Sequence, residues 1–254
     1  MQVIQTLTVA TYNVHSSVGR DRNCSPDRIL RVVAELNPDI IAFQEVSHRH
    51  IEGTDGDQFA YFRERTGMHA EAGLNLLYDR RRFGNALFSR WPIVNCRRID
   101  LSVYGREPRG AIDAEIDING QRLRVIATHL GLGPGERRRQ VERISHALNE
   151  HGELPTLIMG DFNIFGRERK LLQRLGAPSA RKDCPASFPA RMPLLGLDRI
   201  WTRPNLLLQN LAVHRTPLSA VASDHLPLVG KVMLRHAAAT IEAIEEPPRR
   251  RASG

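Results

Sequence analysis

Cysteine, lysine and aromatic residues are all scarce in this chain of 254 residues. The three cysteines, Cys24, Cys96 and Cys184, are odd in number and far apart, which excludes a disulfide framework and a CxxC-type metal site. No stretch approaches the roughly 18–20 consecutive apolar residues of a membrane span. The opening MQVIQTLTVATYNVH lacks a basic region and runs directly into strand-like sequence. No signal peptide is therefore expected, and a cytoplasmic location is the expectation. Only Lys170, Lys182 and Lys231 are lysines, so 33 of the 36 basic residues are arginine. Hydrophobic residues at 41% and charged residues at 25% exclude disorder, a collagen repeat or a coiled coil as a description of the whole chain. The net charge of +8 points to a polyanion: nucleic acid, an anionic membrane surface or a phosphorylated small molecule.

Short apolar runs set the architecture. Leu7–Val14, Asp39–Val46, Asn85–Ser89, Leu123–Leu130, Pro155–Gly160 and Pro227–Leu234 read as strands covered on both faces. Ala111–Ile118 alternates apolar and acidic residues, as a strand with one wet face does, and Asn119–Gly120 predicts a hairpin turn into the next strand. Ser25–Pro26 forms an N-cap and first-turn pair ahead of Ile29, Leu30, Val33 and Leu36. Further helices are predicted over Pro134–Asn149 and Arg167–Leu175. Strands with dispersed helices imply mixed sheets with helices packed outside, in one domain over residues 1–236. Residues 237–254 read as a short, flexible C-terminal tail.

Polar residues collect at the C-terminal ends of these runs. Asn13 closes LTVATYN, Glu45 closes DIIAFQE, His129 closes RVIATH, and Asp161 and Asn163 follow TLIMG. Asp224–His225 precedes the last strand. An ionisable group at the end of a buried strand needs a partner, and five or six of them mark one edge that gathers a site. Oxygen donors of this kind suit a hard cation, Mg²⁺ or else Mn²⁺, better than zinc. The two imidazoles titrate near neutral pH and can act as acid, base or electrostatic clamp. Together these groups fit attack of water on a phosphate ester. The GxxxxGK[ST] loop of nucleotide-driven phosphoryl transfer and the GxSxG elbow of serine esterases are both missing.

The ordered series TYNVH (11–15), QEV (44–46), GNALFSR (84–90), PRG (108–110), ATHL (127–130), GDFN (160–163), LDRIW (197–201) and SDHLP (223–227) resembles the endonuclease/exonuclease/phosphatase superfamily. The resemblance spans about residues 7–234. It implies a four-layer α/β sandwich, two mixed β-sheets packed face to face with helices outside, and Mg²⁺-dependent phosphoester hydrolysis. Glu45 matches the main metal-binding carboxylate, with Asn13 as ligand or phosphate contact and Asp224 completing the metal shell. Asp161 matches the group that orients or deprotonates water, Asn163 a holder of a phosphoryl oxygen, and His225 a base or electrostatic stabiliser. Asp198 resembles the carboxylate that fixes the His225 imidazole, and His129 a leaving-group acid or transition-state stabiliser. Which group is the base stays open at this point.

Asn85 and Arg109 are candidate substrate contacts, although a strand cap and a surface salt bridge are the plainer readings of these two. Tyr12, Phe43, Phe162 and Trp201 are assigned to the core. His15, His48, His50, His69 and His146 are assigned as solvated or structural, and Arg137–Arg139 as the wet face of a helix. The substrate implied by the resemblance is an anionic phosphoester. Nucleic acid leads because positive charge supplies phosphate affinity; a phospholipid headgroup or small phosphoester of the sphingomyelinase-like or lipid-remodelling branch is the alternative. An inactive binding module of the same fold comes third, since Glu45 and His225 are both present. No obligate protein partner is expected.

Overall fold

The computed structural model describes residues 4–47, 57–74, 83–150, 154–177, 185–203 and 206–235. His48, His50 and the tail assigned from residue 237 onward lie outside that set. Two sheets form the molecule. The first has strand order β10-β11-β1-β2-β4-β3, with β1 Ile4–Asn13, β2 Ile40–Ser47, β3 His69–Leu74, β4 Phe83–Ser89, β10 Leu207–Val213 and β11 Leu228–Arg235. The second has the order β5-β6-β7-β8-β9, with β5 Ile93–Asp100, β6 Gly110–Ile118, β7 Gln121–His129, β8 Thr156–Asp161 and β9 Asp198–Thr202. Each sheet contains one parallel pair, β1 with β2 and β7 with β8, among antiparallel neighbours.

Strand alternation explains the layering. Leu7 and Val9 of β1, Val125 and Ala127 of β7, and Leu157 and Met159 of β8 point into the core between the sheets. Ala10 and Tyr12 of β1 point the other way, onto helices α1 (Pro26–Leu36) and α2 (Gln58–Thr66). On the opposite outer face, Ile126 and Ile158 pack beneath α3 (Pro134–Glu150) and the 3₁₀ segment Gly166–Leu175. The result is helix, sheet, sheet, helix, the four-layer sandwich the resemblance implied. Of the helices read from sequence, Arg167–Leu175 forms with 3₁₀ rather than α geometry.

Local sequence fixes the boundaries. The Ser25 hydroxyl accepts the Arg28 N–H and Pro26 occupies the first turn of α1, while Asn37 ends the helix in the left-handed region at φ 44°. Asn119 and Gly120 both have positive φ, as a two-residue hairpin turn between β6 and β7 requires. Arg137 departs from the wet-face assignment. It is buried, donates to the carbonyls of Gly131 and Leu132, and pairs with Glu168, while Arg138 and Arg139 are exposed. A helix residue facing the loop that follows β7 finds unsatisfied carbonyls there, and a long guanidinium can reach them. Among the described residues, no helix is long and apolar enough to cross a membrane.

One glycine determines how closely β7 and β8 approach. Gly160 has φ 146°, and a Cβ there would lie 1.9 Å from the Thr128 carbonyl oxygen, its neighbour across the parallel pair. The clash is with backbone, which cannot swing aside. Gly160→Ala is expected to destabilise the fold by about 2–4 kcal/mol, read as a lower midpoint in urea unfolding. A midpoint within error of the parent would contradict this account of the strand spacing.

Candidate active site

The parallel pairs aim their C-terminal ends at one edge of the sandwich. Asn13 ends β1, His129 ends β7 and Asp161 ends β8, while Glu45 lies near the end of β2. Antiparallel neighbours bring their beginnings to the same edge: Asp198 opens β9 opposite Asp161, and His225 lies just before β11. The convergence follows from strand direction alone, since residues distant in sequence meet where directions agree.

Glu45 reaches the site through a β-bulge. Phe43 pairs with Ala86 and Val46 with Gly84, so Gln44 and Glu45 together oppose Asn85. Glu45 sits at φ 58°, a conformation costing a non-glycine residue about 1–2 kcal/mol. Asn163 at φ 51° and the run His15, Ser16 and Ser17 at φ 47–61° also occupy the left-handed region. Residues held in unfavourable backbone wells so close to one another are held there by the surrounding structure.

The side chains form one network. Asn13 Nδ2 donates to Glu45 Oε1 at 3.0 Å and to Asp161 Oδ2 at 3.1 Å, while Asn13 Oδ1 accepts the His15 N–H at 3.1 Å. Asp161 Oδ1 accepts the backbone N–H of Asn163 at 2.9 Å. Asp198 Oδ2 accepts from Ser187 Oγ at 2.5 Å and from His225 Nδ1 at 2.8 Å. His225 Nε2 then faces Asp161 Oδ2 at 3.7 Å, and the Phe188 ring packs on the imidazole with centroids 4.7 Å apart. Asp224 is half exposed on the rim, 3.9 Å from His15 Nδ1, and accepts from the Ser223 hydroxyl.

Arg109 Nη1 lies 3.2 Å from His129 Nδ1, and its Nη2 donates to Glu107. The Asn163 amide nitrogen lies 3.1 Å from Nε2, so each ring nitrogen of His129 meets a donor and a neutral imidazole accepts from only one of them. Nε2 also lies 3.5 Å from Asp161 Oδ2, and the Asn163 amide donates to the Leu130 carbonyl. Arg109 is thus buried against His129 and Glu107 rather than lying on the surface. Asn85 Nδ2 donates to the Gly110 carbonyl and ties the two sheets together, leaving its Oδ1 buried with no partner among the described residues.

Burial separates the titrations of these groups. Burial, then the Arg109 charge, then His225 hold His129 well below the ordinary histidine range, so it is neutral at pH 7. Burial opposes protonation of His225, but the charge and hydrogen bond of Asp198, with Asp161 and Asp224, lift it to about 10. Asp161 is pushed up to about 6 by burial and by Asp198, against the pull of His225 and its two hydrogen bonds. The site therefore holds one neutral imidazole, one imidazolium and one carboxylate shifted toward neutrality.

The donor set offers a place for a cation. Asp161, Asp198 and His225 place ligand atoms within 4.8 Å of one another, and Glu45 is joined to Asp161 through a single amide nitrogen. Asp198 Oδ1 is buried and, like Asn85 Oδ1, has no partner among the described residues. Three carboxylates against one imidazolium, with spare acceptor atoms, form a set that fits a hard divalent cation.

Residues 10–225 match the Endonuclease/Exonuclease/phosphatase family. The chain belongs to that family. It is thereby one of a group of phosphoester hydrolases. The uncharacterized protein YbhP of Escherichia coli (strain K12) is 29% identical over 246 residues, which cover 89% of this chain and 96% of YbhP. Among solved structures, an endonuclease/exonuclease/phosphatase from Beutenbergia cavernae superposes with a TM-score of 0.75 at 22% identity, covering 91% of this chain and 72% of that one. D. rerio TDP2 complexed with a single-strand DNA product superposes with a TM-score of 0.68 at 17% identity, covering 90% of this chain and 99% of that one. At these identities the solved structures show that the fold is shared.

All ten sequence-assigned site residues are described, and nine join the network; Asn85 adjoins it through Gly110. Ser187, Phe188 and His15 join it without a sequence motif that marks them. His15, assigned as solvated or structural, lies on the rim beside Asp224. Ser187 and Phe188 come from a connection with no motif, and only the three-dimensional path brings them to Asp198 and His225.

The Asp161 shift carries a stability consequence. Its folded pKa lies above the unfolded value, so the fold favours the protonated form, and ionisation costs stability once pH rises through about 6. Without added metal, Asp161→Asn is expected to gain on the parent as pH rises from 4 to 8, by about 1 kcal/mol, or about 2–4 °C in melting temperature. A gap that stays constant or narrows across that range would show that Asp161 carries no such penalty.

Proposed function

We propose that this chain is a divalent-cation-dependent phosphodiesterase whose reaction centre is the Asp161–Asn13–Glu45 network facing His225. The observation that carries the reading is the divergence of three buried ionisable groups into different protonation states around one point. Asp161, shifted toward neutrality and held by the Asn13 amide and the Asn163 N–H, serves as the base that orients and deprotonates water. His225, as an imidazolium fixed by Asp198, presents Nε2–H to a phosphoryl oxygen. Asp198 is in turn fixed by the Ser187 hydroxyl. His129, neutral and packed against Arg109, places a second imidazole beside the same point. Asn163 adds an amide beside the same point.

Glu45, with the rim carboxylate Asp224, would hold the cation, Mg²⁺ or Mn²⁺. The Asn13 amide nitrogen spans Glu45 and Asp161, and its oxygen, which accepts the His15 N–H with one lone pair, keeps the other for the ion or a phosphoryl oxygen. Such an ion supplies charge neutralisation at the phosphoryl oxygens. Arg109 contributes through His129 rather than as a direct clamp on substrate, and Asn85 through its unpartnered oxygen at the seam between the sheets.

Two substrate classes share this chemistry. The excess of arginine supports nucleic acid, for which phosphate contacts supply most of the affinity. A phospholipid is favoured by the apolar side chains exposed around the site, among them Phe165, Met192 and Leu194. Glu45→Ala and His225→Ala are each expected to lower hydrolysis of bis-p-nitrophenyl phosphate by about 10³-fold or more, with unchanged circular dichroism, and EDTA should abolish turnover. Full activity in either variant, or activity that survives EDTA, would refute the reading. Supercoiled DNA, single-stranded DNA, RNA and phospholipid vesicles, tested in parallel, separate the substrate classes.

A further inference from the structure

Large apolar side chains are exposed unevenly over this molecule. Eight are exposed among the described residues. Ile4, Val94 and Leu207 lie near the starts of β1, β5 and β10, which share one direction, at the end of the sandwich away from the site. The other five, Tyr104, Leu132, Phe165, Met192 and Leu194, all lie on connections at the site edge. Tyr104 is in the loop that leads to Arg109 and β6, Leu132 follows His129 by three residues, and Phe165 follows Asn163 by two. Met192 and Leu194 lie between Phe188, which packs on His225, and Asp198. Phe165, Leu194 and Leu195 also line a cleft of about 490 Å³ together with Arg169 and Arg199.

The same connections are basic. Arg106, Arg167, Arg169, Lys170 and Arg191 make no ion pair among the described residues; of the acids nearby, Glu107 and Glu168 are neutralised by Arg109 and Arg137, and Asp224 on the rim faces His15. Exposed apolar groups interleaved with free cations match an interface that is anionic at its surface and apolar just beneath. Nucleic acid would use the cations, but it stacks on aromatic rings, and three of the five apolar groups are aliphatic side chains with no π-face. We infer that the site edge docks on an anionic phospholipid surface, with the cleft beside Phe165 and Leu194 receiving the apolar part of a lipid whose phosphodiester lies at the reaction centre. The docking surface is independent of the hydrolytic reading; only the placement of the lipid phosphate rests on it.

The test is co-flotation of the full chain with vesicles of phosphatidylcholine alone and of phosphatidylcholine mixed with phosphatidylglycerol. The parent is expected to float with the mixed vesicles and only weakly with the neutral ones. The double variant Met192→Asp with Leu194→Asp, and separately Phe165→Asp, should bind mixed vesicles about tenfold more weakly or worse. Arg167→Glu with Arg191→Glu should remove the preference for anionic lipid. All of these variants should keep parental turnover of bis-p-nitrophenyl phosphate, which needs no surface. Absence of flotation with mixed vesicles would overturn the inference. So would parental flotation by the aspartate variants, or a loss in them of affinity for a single-stranded oligonucleotide while vesicle binding persists. A parent that floats but never hydrolyses the soluble diester would refute the proposed reaction and leave the docking surface standing.

Discussion

Asp161 and Asp198 face each other across adjacent strands, both almost wholly buried, and the chemistry of the site follows from keeping two like charges so close. Such a pair is tolerated only if a proton, a cation or a dense set of donors offsets it. The chain supplies the donors: the Asn13 amide, the Asn163 N–H, the Ser187 hydroxyl and the His225 imidazolium. Each comes from a different segment, so the pair specifies where four connections must run. Asp161 remains under-compensated and is shifted toward neutrality, which is the property a base operating near pH 7 requires.

Strands buried on both faces were legible as apolar runs. β1, β2, β4, β7, β8 and β11 were legible this way, since a run of four to eight apolar residues has few other uses, and β6 was legible from its apolar and acidic alternation. The unread strands β3, β5, β9 and β10 are the four edge strands of the two sheets. An edge strand such as Ile93–Asp100, with IVNCRRID, packs on one side only and carries polar residues that periodicity cannot separate from a loop. Helix α2 escaped for a related reason: QFAYFRERT buries only Gln58 and Phe62 and shows no apolar stripe.

The site was legible where polar residues end apolar runs, and it was hidden where loops deliver the residue. Asn13, Glu45, His129 and Asp161 gave themselves away by position. The burial of Arg109 against the His129 ring could not be read, because it depends on the path of the connection that precedes β6. Arg137 shows the converse error: it sits among three consecutive arginines that look alike in sequence, yet only this one turns inward to Glu168 and the Gly131 and Leu132 carbonyls.

The Asn85–Gly110 hydrogen bond joins a strand of one sheet to the first residue of a strand in the other. The network around it is divided the same way: Asn13, Glu45 and His225 belong to the first sheet and its flanks, and His129, Asp161 and Asp198 to the second. Neither sheet carries a reaction centre by itself. Any anion or cation gripped by both halves therefore acts as a rivet between them, and the free energy of its binding is added directly to the cohesion of the sandwich.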